Sequence, residues 1–232
     1  MNHGQQAPIL PYHHEAQHQM ALLPNYYEWT LDRLNTWIGS RILDVGSGVG
    51  NLAERLSGWE QLVLLDVNPA QCEEMAQRFK GVAGVNVFCQ DILNPSILGL
   101  GRSAFDTVIC LDVLEHLPDY FRFLAELRDK GRHKIFHIPL DLSVQTVLRK
   151  DALLKRRDMY GHLHFFTKET ALEALRDTGY EILDWFYTPR ANSVGAAATQ
   201  RLLKLPRKLL FALHEDVAAR VLGGYSLLVL AR

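Results

Sequence analysis

The 232-residue chain lacks the features that mark several classes of protein. Its three cysteines, Cys72, Cys89 and Cys110, are far apart and form no CxxC pair, so we expect neither a disulfide framework nor a cysteine zinc site. No apolar run approaches the length of a membrane span. The N-terminus does not combine a basic start with an apolar core, so no signal peptide is predicted. These absences predict buried, reduced thiols in a cytoplasmic chain without stable membrane insertion.

A dominant charge of one sign is also lacking. Lysine and arginine together number 25 and aspartate and glutamate 26, which leaves a formal net charge of −1. Such a balance predicts no strong attraction to nucleic acid or to anionic membranes. The 48% apolar content is enough for the core of one α/β domain.

The chain divides by composition into an arm and one domain. Residues 1–24 are polar and His-rich and are expected to form a flexible arm. Residues 25–232 are expected to form a single domain with helical insertions at about 141–166 and 193–222. The second insertion carries basic residues among leucines and leaves three alternatives: a partner-binding cap, a membrane-surface helix, or a helix packed on the core. Pro206 interrupts its amphipathic face, which favours the cap or the packed helix.

The most informative stretch is Arg41 to Leu56, RILDVGSGVGNLAERL. It predicts a buried strand over 41–45, a glycine turn over 46–50 and a helix over 51–56. Glycines allow positive φ and close approach of a ligand, and the free N–H groups of a following helix favour a polar ligand there. The spacing is not that of a dinucleotide fingerprint, because Asn51 takes the place of its last glycine, and no phosphate-binding Gly-Lys-Ser/Thr follows.

Strands and helices alternate along the rest of the chain. Further strands are predicted over 61–66, 84–89, 104–110, 134–138, 180–187 and 223–230. Helices are predicted from Asn25, from Asn68-Pro69 to Lys80, from Pro118 with Phe121, Leu124 and Leu127 on its apolar face, over 141–157, and from a Thr167 cap to about Asp177. Such alternation predicts an α/β fold with a parallel sheet and helices on both faces, where a ligand lies beyond the carboxyl ends of the strands.

Four motifs follow one another in a fixed order. They are Asp44-x-Gly46-x-Gly48-x-Gly50, Asp66 about 20 residues after the glycine turn, Asp91-Ile92, and the segment from Leu111 to Asp119 with its VLEH run. In combination they resemble class I S-adenosylmethionine-dependent methyltransferases of the small-molecule type, which tailor sugars, quinones or secondary metabolites. The resemblance implies a Rossmann-like, doubly wound, seven-stranded sheet whose last strand is antiparallel. Asp129 to His133 departs from the Gly-Gly-x-Leu step that many relatives carry.

The resemblance implies a cofactor-binding set at one sheet edge. Gly46 and Gly48 are expected beside the methionine moiety, Asp66 at the ribose, and Asp91 with Ile92 at the adenine. Asp44 is expected to order the glycine turn or to reach the ammonium of the cofactor through water. The remaining members of the predicted set are Gly50, Val67, Leu111, Asp112 and Tyr26.

His116 is the candidate general base, because it follows the fourth strand near the expected position of the methyl group. The alternative is a structural residue at a helix start. No metal is expected, although a site made of two histidines with Asp112 or Glu115 is a weaker alternative. His162 and His164 alternate along the chain and are expected to point to opposite sides.

The predicted function is transfer of a methyl group from S-adenosylmethionine to a small-molecule acceptor by in-line displacement. The alternative is a non-catalytic, cofactor-binding scaffold subunit that docks a partner through residues 193–222. A nicotinamide-dependent reductase is disfavoured by the glycine spacing. No nucleic-acid partner is expected, since the chain has no Asp/Asn-Pro-Pro-Tyr/Phe motif and no added basic domain. Homo-oligomerisation is left open.

Overall fold

A computed structural model describes residues 31, 34, 36–93, 104–189 and 204–232. The described residues form a seven-stranded sheet in the order β3-β2-β1-β4-β5-β7-β6. The strands are β1 (Arg41–Val45), β2 (Gln61–Asp66), β3 (Val85–Cys89), β4 (Phe105–Leu111), β5 (Gly131–Pro139), β6 (Ile182–Pro189) and β7 (Tyr225–Ala231). Strands β1 to β5 pair in parallel, and β7 lies antiparallel between β5 and β6. The predicted fold class, including the antiparallel last strand, is confirmed.

Helices connect most of the strands. They are α1 (Pro69–Arg78), α2 (Tyr120–Leu127), α3 (Val144–Val147), α4 (Ala152–Tyr160), α5 (Lys168–Asp177), α6 (Lys204–Leu213) and α7 (Glu215–Val217). Single 3-10 turns cover Ala53–Arg55 and Leu114–His116, and a π-helical turn covers Ala218–Leu222. Thr167 caps α5 as predicted, in a reciprocal capping box with Thr170.

Alternate residues of each strand face two apolar layers. Leu43, Val63 and Val108 belong to one layer, where α2 and α5 supply Leu124 and Leu172. The neighbouring strand residues face the second layer, to which α1 contributes Met75 and the first 3-10 turn contributes Ala53; the strand residues there include Ile42, Leu62 and Ile109. Helices therefore cover both faces of the sheet, because period-two alternation gives each strand two apolar faces to bury.

Two predicted helices are shorter than expected. The helix predicted over 51–56 is only the 3-10 turn Ala53–Arg55, because Leu56 is already extended at ψ 141° and the chain turns at Gly58 towards β2. The helix predicted over 141–157 is broken into α3 and α4. Ser143 caps α3 together with Thr146, and a new helix begins only after Asp151.

The prediction of which α2 residues face the core is wrong at one position, Phe121. The helix starts at Tyr120 rather than at Pro118, since the side chain of Asp119 accepts a hydrogen bond from the backbone N–H of Arg122 at 3.0 Å. This start places Phe123 in the core beside Leu124 and leaves Phe121 45% exposed.

The prediction of three buried thiols is wrong at one position. Cys72 and Cys110 are buried, but Cys89 is exposed. Cys89 ends β3, which is an edge strand of the sheet and is covered less than the central strands.

The described part of the 193–222 segment packs on the core. Phe211 in α6 stacks on Tyr225 with ring centroids 4.7 Å apart, and Tyr187 donates a hydrogen bond to Asp216 at 2.6 Å. The arm over 1–24, the start of the helix predicted from Asn25, Tyr26 and residues 193–203 lie outside the described residues. Among the residues that are described, we find no helix with the length and apolarity needed to cross a membrane.

Candidate active site

The carboxyl ends of four parallel strands meet at one edge of the sheet. The chain runs from β1 outward to β2 and β3 and then crosses back to place β4 on the other side of β1. A reversal of this kind opens a crevice between the two halves, and ligands of open α/β sheets bind there. The glycine turn follows β1 at this crevice, and Asp66, Asp91 and Asp112 follow the neighbouring strands or end them.

The glycine turn depends on glycine at two of its positions. Gly46 has φ +75°, and a Cβ built there would lie 2.4 Å from Cγ2 of Val113. Gly50 has φ +84°, and a Cβ there would lie 2.5 Å from the ring of Phe79. The turn is therefore clamped between the residues after β4 and the end of α1, so its backbone has a fixed position.

Asp66 ties the glycine turn to the second strand. Its Oδ2 accepts a hydrogen bond from the Gly48 N–H at 2.8 Å, and its Oδ1 accepts one from the Asn68 N–H at 2.9 Å. Burial raises the pKa of this carboxyl, and the backbone N–H groups of Asn68, Gly48 and Val67 oppose that rise. Each carboxylate oxygen has a further lone pair, so Asp66 keeps acceptor capacity for ligand hydroxyls.

Asp44 presents a buried oxygen without a partner among the described residues. Its Oδ2 has no hydrogen-bond donor, and the residue is 3% exposed. Burial raises the pKa of Asp44 to about 7, against the opposing effect of the Ser47 hydroxyl. The Ser47 Oγ also donates to the Asp44 carbonyl at 2.8 Å, which fixes the turn locally. A buried carboxyl of this kind is suited to a cationic group of a ligand.

The other predicted cofactor residues are distributed around the same edge. Val67 is exposed directly after Asp66. Asp91 is half-buried and its Oδ1 accepts from the Leu93 N–H at 2.9 Å, while Ile92 is buried in the apolar layer. Leu111 ends β4 and is also half-buried. Their roles towards a cofactor remain predictions.

Asp112 is engaged with a residue that the sequence did not single out. Its backbone adopts φ +53°, the left-handed region, and its Oδ1 lies 2.7 Å from Nδ1 of His137. The other nitrogen of His137 lies 2.7 Å from Oγ1 of Thr188 on β6. His137 sits inside the apolar strand KIFHI, so the local pattern contains no signal for this Asp-His-Thr chain. One polar partner of His137 directly follows β4 and the other lies on β6, and the sheet order brings both to β5.

His116 lies in the 3-10 turn after β4, next to Glu115 and His162. Its Nε2 is 3.8 Å from Oε1 of Glu115, and its ring meets that of His162 edge-on with centroids 5.0 Å apart. His164 points elsewhere, since its Nε2 lies 2.9 Å from the Leu117 carbonyl. The predicted opposite orientation of His162 and His164 thus fits their different partners. The role of His116 as a base stays a prediction.

Comparison with known proteins identifies the family. A family model described as "Methyltransferase domain" matches residues 12–184, more than half of the chain. A ubiquinone biosynthesis O-methyltransferase of Pseudomonas fluorescens (strain Pf0-1) is 34% identical over 97 residues, which are 41% of this chain and 41% of that protein. A protein of the same name from Coxiella burnetii (strain RSA 493 / Nine Mile phase I) is 33% identical over 94 residues, 37% of this chain and 36% of that one. The chain thus spans about two fifths of the length of these curated relatives.

Solved structures share the fold at low identity. The N-methyltransferase NodS from Bradyrhizobium japonicum, in complex with S-adenosyl-L-homocysteine, has a TM-score of 0.55 and 18% identity, covering 97% of this chain and 88% of that chain. The magnesium protoporphyrin IX methyltransferase of Synechocystis with bound S-adenosyl-homocysteine (SAH) has a TM-score of 0.56 and 19% identity, covering 99% and 89%. The [4+2]-cyclase SpnF has a TM-score of 0.59 and 21% identity, covering 90% and 80%.

The motif order, the sheet order and the matched family model agree with one another. The resemblance inferred from Asp44 to Asp119 is confirmed, together with S-adenosylmethionine as the cofactor of the family. The chain belongs to the methyltransferase domain family and has the fold of the class I S-adenosylmethionine-dependent methyltransferases.

Proposed function

We propose that this protein transfers the methyl group of S-adenosylmethionine to a small-molecule acceptor. The observation that carries the proposal is the buried Oδ2 of Asp44 beside the glycine turn, which has no hydrogen-bond donor among the described residues. The cofactor has an ammonium group. An ammonium can donate a charge-assisted hydrogen bond to such a carboxyl oxygen. A purely structural turn would have no reason to keep this oxygen without a donor.

Other residues at the same sheet edge would bind the ribose and the adenine of the cofactor. Asp66 would accept hydrogen bonds from the ribose hydroxyls with the lone pairs that Gly48 and Asn68 leave free. Val67 presents an exposed apolar side chain next to it for the nucleoside. Asp91 and Ile92 would meet the adenine, in keeping with their position after β3.

The cofactor itself supplies a methyl group on a positively charged sulfur, which is a good leaving group. The protein then has to align the acceptor with that methyl group and to exclude water. His116 is the proposed base for an acceptor proton, because its Nδ1 faces the Gly161 carbonyl at 3.3 Å and must carry the hydrogen there. A neutral imidazole with its hydrogen on Nδ1 can accept a proton at Nε2.

The class of acceptor is proposed from the relatives and from the charge. The curated relatives are named for ubiquinone biosynthesis, which makes hydroxylated ring compounds reasonable first acceptors to test. The net charge of −1 gives no attraction to nucleic acid. We place this activity in a reducing cytoplasm, since the cysteines of the described residues are free.

The test measures cofactor binding and methyl transfer separately. SAH is titrated into the wild type, Asp66→Asn and Asp177→Asn; Asp177 is an exposed acid at the end of α5 and serves as the matched control. Asp66→Asn is expected to weaken binding about 10- to 100-fold, because hydrogen bonds to a charged group contribute about 1.5–3 kcal/mol. Asp177→Asn is expected to bind like the wild type.

Transfer is then followed with methyl-labelled S-adenosylmethionine and a panel of small hydroxylated and amine acceptors. Incorporation by the wild type, lost in Asp66→Asn at limiting cofactor, supports the proposal. Failure of the wild type to bind SAH contradicts it. Tight binding without transfer to any acceptor, together with a stable protein complex on pull-down, favours the non-catalytic scaffold instead.

A further inference from the structure

Three polar side chains form a compact cluster in the chain segment that follows β4. One ligand atom each from Glu115, His116 and His162 lies within 4.8 Å of the others. The three come from two distant stretches, the 3-10 turn after β4 and the segment after α4. Backbone hydrogen bonds join these stretches, because the N–H groups of Leu163 and His164 both donate to the Glu115 carbonyl, at 2.7 and 3.1 Å.

Each imidazole has an oxygen partner beside its Nδ1. Nδ1 of His162 lies 2.6 Å from Oδ2 of Asp141, and Nδ1 of His116 lies 3.3 Å from the Gly161 carbonyl. A carbonyl oxygen accepts only, so His116 must carry its hydrogen on Nδ1. The carboxylate of Asp141 favours the same tautomer of His162. A second polar group that orients the ring in this way is the arrangement found behind metal-bound histidines.

Burial and charge fit a cation. Glu115 is 1% exposed and His162 is 5% exposed, whereas the side chain of His116 is 29% exposed. A carboxylate taken out of water beside two imidazoles is stabilised by a positive ion. The partial exposure of His116 leaves a path for the ion from solvent.

We propose that Glu115, His116 and His162 bind one divalent transition-metal ion of the zinc type. A carboxylate oxygen and two Nε2 atoms make a three-ligand set, which leaves a fourth position open for water or for an acceptor oxygen. Tetrahedral ligands at about 2.1 Å from zinc are roughly 3.4 Å apart. The 3.8 Å between Glu115 and His116 is close to this spacing, and no pair of the three ligand atoms is more than 4.8 Å apart before an ion draws them together.

This inference differs from the expectation that no metal is bound, and from the alternative that used Asp112. Asp112 is not in the cluster, since it faces His137. The inference does not depend on the proposed methyl transfer. An ion on Nε2 of His116 would replace its role as a free base, so the metal content of the protein separates the two roles.

The test uses the full chain, stripped of metal with a chelator and titrated with Zn²⁺ in competition with a chromophoric chelator. Co²⁺ is titrated in parallel, since its visible absorption reports the ligands. His3, His13, His14 and His18 are replaced by Ala in one background, so that binding by this His-rich stretch is removed. We expect one equivalent per chain in both backgrounds, and a weakening of about 10- to 100-fold in Asp141→Asn, as for other groups that orient a ligand.

The cluster variants are Glu115→Gln and His162→Ala, and His164→Ala is the matched control, two residues from His162 and outside the cluster. The first two are expected to lose the Co²⁺ spectrum and the control to keep it, while SAH binding and thermal unfolding show that each variant is folded. No stoichiometric binding by the wild type overturns the proposal. So does a Co²⁺ spectrum that His162→Ala and Glu115→Gln leave unchanged.

Discussion

Asp44 shows how one buried side chain links the stability of the fold to its ligand. It lies in β1 with β2 and β4 on either side, so its carboxyl is removed from water. The pKa of about 7 results mainly from this burial. In the unfolded chain the same carboxyl titrates near 3.8. The folded protein therefore binds a proton that the unfolded chain has already released between these two pH values.

The stability of the wild type is expected to fall as the pH rises from about 4 to about 7, because a raised acid pKa favours the fold only while the group is protonated. Asp44→Asn removes this dependence. The variant should gain about 2 kcal/mol relative to the wild type between pH 5 and pH 8, at 1.36 kcal/mol for each pKa unit. Urea unfolding of both proteins at pH 5 and at pH 8 measures this difference in unfolding free energy. A constant difference between the proteins would show that Asp44 does not titrate in this range.

At the scale of elements, strands are predicted better than the turns and helices around them. The predicted bounds of β1 and β2 are those observed, because apolar, β-branched runs in a buried parallel sheet need no further information. The phase of α2 depends on the capping contact of Asp119, and the length of the turn at Ala53–Arg55 depends on the path to β2. Local propensity does not decide either of them.

The glycine turn offers a test with a close control. Gly46→Ala places a Cβ 2.4 Å from Val113 at φ +75°, whereas Gly58→Ala has the same φ and no atom within 4 Å. Gly58→Ala is expected to cost about 1–2 kcal/mol from backbone strain alone. Gly46→Ala should lower the free energy of unfolding, measured in urea, by more than Gly58→Ala does. It should also weaken SAH binding, measured by calorimetry.

The double variant Gly46→Ala with Val113→Ala removes the side chain that the new Cβ would meet. It should recover part of the unfolding free energy that Gly46→Ala loses. Equal unfolding free energies for the two single variants would contradict a clamp on the turn by the residues after β4.

In the complete sheet, β7 connects the edge strand β6 to the parallel strands that end with β5. It is buried along its whole length and pairs with both β5 and β6, so the last residues of the chain complete the core that β1 to β5 begin. The polar contacts of His137 with Asp112 and Thr188 cross the same region. The sheet is therefore expected to unfold as one cooperative unit.

Leu228→Ala tests this unit. Leu228 is 1% exposed between His137 and Phe186, so the substitution is expected to cost about 2–5 kcal/mol in a single unfolding transition. Leu209→Ala in α6 is the control, because Leu209 is 60% exposed and its loss should change the free energy by about 0.5 kcal/mol or less. Circular dichroism and tryptophan fluorescence should give coincident transitions. A separate early transition by one probe would show that β6 and β7 unfold by themselves.

The residue pattern was enough to predict the α/β class, the strands, the glycine turn and the carboxylates at the carboxyl ends of β1, β2 and β3. These features are local, because hydrophobic periodicity and glycine at positive φ act over a few residues. Only the folded chain shows that Glu115 and His116 meet His162 and that Asp112 faces His137. The fold also buries an oxygen of Asp44 that has no donor in the described part of the chain. These contacts join segments that are distant in the chain, and their geometry depends on strand order and on what each loop packs against, which the local pattern does not encode.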